Sequence, residues 1–517
     1  MKKFLLPVLV TLICTNAISQ NDGDLDNTFN STGIYTYDFG FQDNLTDVKV
    51  QADQKILTCG TSLSGAFAGR LIVMRQNTDG TPDLSFNGTG YVLIDSYTES
   101  YAYEIRVRDD GKILIAGAVA SPVYIFSALV MRLNADGSID ETFGDNGFSE
   151  INLTGTDHFA YAMQETADNK ILIAGSSLDA NYNNQPVVFR LNEDGSLDET
   201  FGENGAAIIE VTQIDNRFNS LTIQDDGKIV AAGHLSNPLT NDGQFDFDIL
   251  VARFNEDGSP DVSFSGDGIL TDAVSALYTD DIFEVVVTPD GNITVAGYAT
   301  QADFSFDLIV VQYDDSGERV DTFGDQGVVQ LDLANQDVAL GMDIQTDGKI
   351  VVAGTSGGFF FDNRDVLIIR LETNGAFDNT FNDDGIVLTE VLGYMDEANA
   401  VTIQADDKIV VAGKDNNGTQ NDALLARYEA ESEANGIIHD HNASFSIFPN
   451  PATIGNRILV QHTEPVSRIV LQDISGKTIA EFQVNKGTYQ ATLFIPSTLE
   501  AGIYMLRVNN EVQRLVV

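Results

Sequence analysis

Tryptophan is absent from this chain of 517 residues, cysteine occurs twice and histidine five times, and 28 Lys and Arg face 77 Asp and Glu. Each shortage excludes something. Phosphate backbones and anionic lipid are bound by clustered cations, so a formal charge of −49 rules out nucleic acid and anionic membrane as partners and leaves cations or basic partners attracted. Cys14 and Cys59 are too few for a disulfide framework or a thiolate metal cluster. H-E-x-x-H does not occur, the single G-x-S-x-G, Gly354-Thr355-Ser356-Gly357-Gly358, merely continues the repeated run that closes on Gly354, and His158, His234, His439, His441 and His462 read as surface histidines. Without Trp, deep sugar-stacking subsites are disfavoured, although 16 Tyr and 30 Phe can stack. Past the first residues no apolar run approaches the roughly 20 residues of a transmembrane helix.

What is present describes a globular, exported chain: 43% hydrophobic residues, 45 Gly and 20% charged residues. In "MKKFLLPVLVTLICTNAISQ" Lys2 and Lys3 precede an apolar run and Ala17-Ile18-Ser19 is a small-x-small cleavage signature, predicting a signal peptide over 1–19. A lipoprotein anchor at Cys14 is disfavoured by the bulky Ile13 before it.

One unit then repeats seven times. "DGKILIAG" and its variants close on Gly60, Gly117, Gly175, Gly233, Gly297, Gly354 and Gly413, at spacings of 57, 58, 58, 64, 57 and 59 residues. A Thr or Ser followed by Phe recurs at Phe29, Phe86, Phe143, Phe201, Phe264, Phe323 and Phe381. Each unit offers short β-branched runs parted by Gly, Asn and Asp, with no helical period. Four strands per unit predict an all-β fold, a seven-bladed β-propeller over 20–430.

The acidic peptide "RLNADGSIDETFGDNG" reads as scaffold. Asn134-Ala135-Asp136-Gly137 suits a type I turn with a left-handed Gly, which sets Arg132 across from Asp140, a pair worth about 0.2–1 kcal/mol at a cross-strand position. The same offset gives Arg75 with Asp83, Arg190 with Asp198, Arg253 with Asp261 and Arg370 with Asp378. In the fifth unit Gln312 and Val320 replace both partners together, as a pair predicts and an independent metal or catalytic Asp does not. Arg427 lacks a following Asp and Asp26 lacks a preceding Arg, so the N-terminal segment is predicted to supply the last strand of the final blade.

These units resemble the delta-60 repeats of bacterial secreted and surface proteins, a likeness that supports the propeller and implies no activity. The segment 431–442 reads as an acidic linker. Residues 443–517 resemble the type A C-terminal sorting domain of the type IX secretion system, through Pro449, Asn450 and Pro451 in "FSIFPNPA", Asp473, Gly476 and Lys477 in "VLQDISGKTI", and Gly502 and Tyr504 in "AGIYMLRV". The resemblance implies a small C-terminal β-sandwich, a partnership with the type IX machinery, export to the medium or outer cell surface, and removal of the domain on arrival.

Candidate ligand-binding residues come from the strand before each "DGK", whose polar positions are expected to face the central channel: Asp47, Lys49, Glu104, Arg106, Gln164, Glu284 and Asp343. No catalytic set is specified. "NEDGS" lacks the spacing of a calcium loop, and His439 and His441 beside Asp440 read as an accidental pair, so no cofactor is named and calcium is left open. Two functions follow. One is a non-enzymatic binding or adhesion propeller for an extracellular glycan or protein; the other is a polysaccharide hydrolase or lyase using channel carboxylates such as Glu104 and Glu284. The residues favour binding.

Overall fold

The computed structural model describes residues 21–430 apart from 64–67, 154–155, 212–214, 237–245, 276–277 and 359–362, and residues 445–448, 457–466, 468–473, 477–482, 488–494, 503–508 and 511–516. The expected signal peptide 1–19, the expected linker 431–442, and Pro449, Asn450, Pro451, Gly476 and Gly502 lie outside the described residues.

Each repeat forms one antiparallel sheet of four strands. In the first, Asp43–Val50, Ile56–Leu63, Gly69–Gln76 and Tyr91–Ile94 pair in chain order. The two middle strands are buried along nearly their whole length, which is why they read as continuous aliphatic runs; both faces of the sheet are covered by neighbouring blades. The apolar clusters accordingly lie between blades. Leu57, Leu71 and Val73 of blade one pack with Ile105, Ile113 and Ile115 of blade two.

The seventh sheet takes Glu397–Ile403, Ile409–Asn416 and Asn421–Tyr428 from the end of the ring and Ile34–Tyr37 from its beginning, with Tyr37 opposite Ala423. Its apolar face meets blade one through Ala400, Val410, Ala412 and Leu425 against Leu45, Ile56, Ile72 and Met74. That layer closes the ring.

The repeated glycine has a local cause. Every innermost strand carries a β-bulge, between Ala102 and Glu104 in blade two for example, which pushes its backbone onto the neighbouring strand. A Cβ on Gly117 would stand 1.9 Å from the Tyr101 carbonyl oxygen, and one on Gly175 1.9 Å from that of Phe159. Only glycine fits there.

The acidic peptide fastens blade to blade. Arg Nε lies 2.6–2.8 Å from the Asp carboxylate in Arg75–Asp83, Arg132–Asp140, Arg190–Asp198, Arg253–Asp261, Arg370–Asp378 and Arg427–Asp26. The lysine of each "DGK" repeat, or Lys408 in the last, joins the same carboxylate: Lys55, Lys112, Lys170, Lys228, Lys349 and Lys408 stand 2.6–3.0 Å away. Each guanidinium also lies 4.6–4.9 Å over the repeat Phe ring. It then reaches the next blade, as from Arg132 to the Glu193 carbonyl at 2.8 Å and from Arg427 to that of Thr78 at 2.7 Å. Sequence spacing had suggested an ordinary cross-strand pair. Burial changes its energetics: Asp26 is 0% exposed and Arg427 6%, so removing one partner strands a buried charge, at a cost of about 3–5 kcal/mol.

The fifth blade loses the whole arrangement, since Asn292 takes the lysine position. Gln312 turns to the Thr294 hydroxyl at 3.0 Å, and Arg319 holds Asp272 of blade four at 2.6 Å instead.

Residues 433–517 form a separate compact unit. Strands Phe445–Phe448, Arg457–Val466 and Thr488–Phe494 make one sheet, and Thr478–Phe482, Ile469–Asp473, Ile503–Val508 and Glu511–Val516 another. Val460 and Leu493 of the first share an apolar cluster with Leu471 and Leu506 of the second. Asp473 pairs in register with Tyr504, and Lys477 is exposed.

Candidate functional site at the central channel

The seven innermost strands surround a cavity of about 300 Å³, and all seven candidate residues, Asp47, Lys49, Glu104, Arg106, Gln164, Glu284 and Asp343, line it. The bulge adds a layer that the alternation of the sequence conceals. Its extra residue also turns into the channel, placing Thr46, Tyr103, Tyr161, Asn219, Phe283 and Asn399 on the wall. The signal that could have found them is the invariant glycine, which demands a backbone approaching where a Cβ would be.

Most of the channel carboxylates are engaged with the neighbouring blade. Asp47 accepts from the Lys49 ammonium at 2.8 Å and from the Ile105 amide of blade two at 2.9 Å. Glu104 pairs with Arg106 at 2.5 Å and accepts from the Met163 amide of blade three. Asp343 accepts from the Ile344 amide at 2.8 Å and the Ile403 amide of blade seven at 2.9 Å. Glu284 differs, since its polar partners are the Ser220 hydroxyl at 2.5 Å and its neighbouring amide of Val285 at 3.2 Å. Burial, reinforced by the nearby Glu104 charge and opposed by Ser220, pushes its carboxyl up to about 7. Burial likewise raises Glu104 and Asp343.

An aromatic arc runs from the channel wall, where Tyr103 and Tyr161 line the cavity, to side chains beyond its lining. Tyr101 and Tyr103 stack at 6.5 Å, Tyr103 meets Tyr161 at 5.0 Å, Phe159 stacks on Tyr161 at 5.7 Å, and Phe126 joins Phe159 at 5.2 Å. The Arg217 guanidinium stands 5.5 Å from the Tyr161 ring. All six side chains are half-buried. At the position of Tyr103 and Tyr161, the remaining blades carry Thr46, Asn219, Phe283, Leu340 and Asn399; this arc joins blades two and three, and Phe283 starts a separate aromatic run in blade five with Tyr298 at 6.1 Å and Phe306 beyond it.

Two histidines depart from the surface reading. His158 and His234 are 0% and 1% exposed. His158 contacts the Thr156 carbonyl at 2.8 Å, and His234 stacks on Phe247 at 4.4 Å and meets Asp281 at 2.8 Å. Both occupy strands whose neighbours on each side are blades, where a polar ring survives by finding hydrogen-bond partners. His439 and His441 lie outside the described residues.

Comparison with known proteins follows the same division. The model described as "Domain of unknown function (DUF5122) beta-propeller" matches residues 51–86, 108–143, 166–201, 224–264, 345–381 and 404–433. The stretch it passes over contains Asn292, Gln312 and Val320, the unit without the Lys–Arg–Asp cluster. The model "Secretion system C-terminal sorting domain" matches 446–517. No curated protein matches the chain. Among solved structures, PorZ, a surface component of the type IX secretion system of Porphyromonas gingivalis, is 9% identical over 93% of this chain and 82% of its own, with a TM-score of 0.26. Virginiamycin B lyase from Staphylococcus aureus is 11% identical over 76% and 98%, with a TM-score of 0.36. Drosophila Semaphorin 1b is 9% identical over 81% and 89%, with a TM-score of 0.39. None of these likenesses carries an activity to this chain. The family matches do identify it: the chain belongs to the DUF5122 β-propeller proteins, of the delta-60 repeat type, and bears a type IX secretion C-terminal sorting domain that directs it to the cell surface or extracellular space.

Proposed function

We propose that this secreted protein is a non-enzymatic binding or adhesion propeller, taking an extracellular glycan or protein segment at the aromatic arc that extends from its channel wall. The observation that carries the reading is the half-buried arc of Tyr101, Tyr103, Phe126, Phe159 and Tyr161 with Arg217 beside it. Aromatic faces with one convergent cation suit a sugar ring bearing an acidic group, or an aromatic or acidic peptide side chain. The carboxylates of Asp47, Glu104 and Asp343 are committed to backbone amides, and the first two to cations as well, which favours binding over acid–base chemistry.

A glycan and peptide array probed with the full mature chain tests this. A ligand should be retained whose binding falls about tenfold or more in the Phe159→Ala and Arg217→Ala variants, with melting unchanged within a few degrees. Loss of neither would remove the arc from the function. A second reading, hydrolase or lyase, is favoured by Glu284 alone, whose carboxyl titrates near neutrality. It requires polysaccharide cleavage that Glu284→Gln abolishes.

A further inference from the structure

A different acidic cluster sits where the ring is sewn shut. One carboxylate oxygen from each of Asp38, Asp43 and Asp422 lies within 4.8 Å of the others. The span is about twice a calcium–oxygen distance of ~2.4 Å, so the three oxygens can share one such ion. Asp38 follows the closing strand Ile34–Tyr37, Asp43 opens the innermost strand of blade one, and Asp422 lies on Asn421–Tyr428 of blade seven. With Tyr37 opposite Ala423, Asp38 comes next to Asp422.

A second observation points to a missing ligand. Asp415 is 0% exposed, and neither of its carboxylate oxygens has a hydrogen-bond partner among the described residues. It is the register partner of Asp422, so the two side chains share one face of the sheet. The other six blades hold Ser62, Val119, Ser177, Leu235, Ala299 and Ser356 at its position, none of them charged. Blade seven alone places a buried carboxylate here, beside a second fully buried one, Asp396. Two cations on the surrounding strands are engaged elsewhere: Lys414 with Glu397 at 2.8 Å and Arg70 with Ser62 at 3.3 Å. An unpaired buried carboxylate is costly unless it takes up a proton or a metal ion.

We propose that Asp38, Asp422 and Asp43, whose buried Oδ1 has no hydrogen-bond partner among the described residues, bind a calcium ion that clasps the closing N-terminal strand to blades seven and one, with the unpaired Asp415 beside Asp422. The ligands are all hard oxygens. Exposed Asp38 leaves one side open to water, and carboxylates of this number suit the ~0.1–1 mM affinity of extracellular calcium modules. The clasp is independent of the channel reading above, because it concerns the seam and not the ligand.

The test uses the mature full chain at pH 8. Melting is followed in chelator, in calcium and in magnesium at equal ionic strength, for the wild type, Asp38→Asn and the Asp38→Asn/Asp422→Asn pair. Calcium should raise the wild-type Tm by about 2 °C or more over both controls, and the paired variant should lose that increment while melting in chelator no lower than wild type. Asp38→Asn, at an exposed position, should weaken calcium about tenfold and covers the case in which the paired variant fails to fold. Terbium supplies a direct readout: the chain has no Trp, so emission must be sensitised by Tyr, and Tyr37 is the nearest neighbour in sequence. Signal that calcium displaces and Tyr37→Phe removes supports the site. An equal rise in magnesium, an increment that survives in the paired variant, or a wild type indifferent to calcium overturns it. In the last case a proton on Asp415 neutralises the cluster instead.

Discussion

Arg427 donates from Nε to Asp26 Oδ2 at 2.7 Å across 401 positions of the chain, in the same geometry that Arg132 and Asp140 adopt across eight. The ring is therefore closed by a copy of the contact that fastens its other blades. Asp26→Asn should cost about 3–5 kcal/mol, because the buried Arg427 loses its counter-charge, while Lys408 keeps Glu429 at 2.7 Å. Denaturant unfolding of the single variant checks it, and a loss below about 1 kcal/mol would return the pair to a surface role. Removing residues 21–34 should do more, exposing the edge of Asn421–Tyr428 and driving oligomerisation visible by light scattering.

Blade five offers the converse experiment. Introducing only Lys at Asn292, Arg at Gln312 or Asp at Val320 places an unpaired charge in the seam and should cost about 3 kcal/mol each. The triple change restores a complete cluster and should come within about 1 kcal/mol of wild type, a non-additivity that a thermodynamic cycle over the variants would measure.

Stability should peak in mild acid. Burial pushes Asp280, Glu284 and Asp415 up to about 7, above their unfolded values, so the folded chain holds protons the unfolded chain has lost and stability falls as pH rises from about 4 to 7. Asp83, Asp140, Asp198, Asp261 and Asp378 go the other way: burial raises them, but Ser or Thr, Lys and Arg hydrogen bonds hold them well below the usual range. Their stabilisation is complete above the unfolded value near ~4 and is lost as pH falls below it. Melting curves in chelator should show a maximum between roughly pH 4 and 6; a monotonic rise towards pH 8 would contradict the raised carboxyls.

Gly175→Ala should be among the most damaging single methyl additions. The new Cβ would meet the Phe159 carbonyl at 1.9 Å, where nothing but backbone can move, so the bulge itself must shift, at about 3 kcal/mol or more. An unfolding midpoint unchanged by the substitution would mean that the bulge is soft.

Deleting residues 443–517 should leave a folded propeller confined to the periplasm, assayed by fractionation. Normal release of the truncated chain would detach export from the sorting domain.

The repeat period, the all-β class, the sorting tail and even the long-range partner of Arg427 were determined by sequence alone, because a unit reused seven times must satisfy the same seam seven times and its exceptions reveal the pairing. That Asp47 to Asp343 face the channel was legible for a similar reason: alternation along a strand assigns faces. Three things were decided only by tertiary structure. Whether Arg–Asp is a surface pair or a buried one depends on the blade that covers it, and the lysine that completes the cluster lies 28 or 29 residues upstream of its aspartate in most repeats. The bulge residues Tyr103 and Tyr161 face the channel because one extra residue breaks the period of two that sequence reading relies on. Asp38 and Asp43 come from one end of the propeller and Asp422 from the other, and nothing in their local spacing joins them; only closure of the ring brings their charges together.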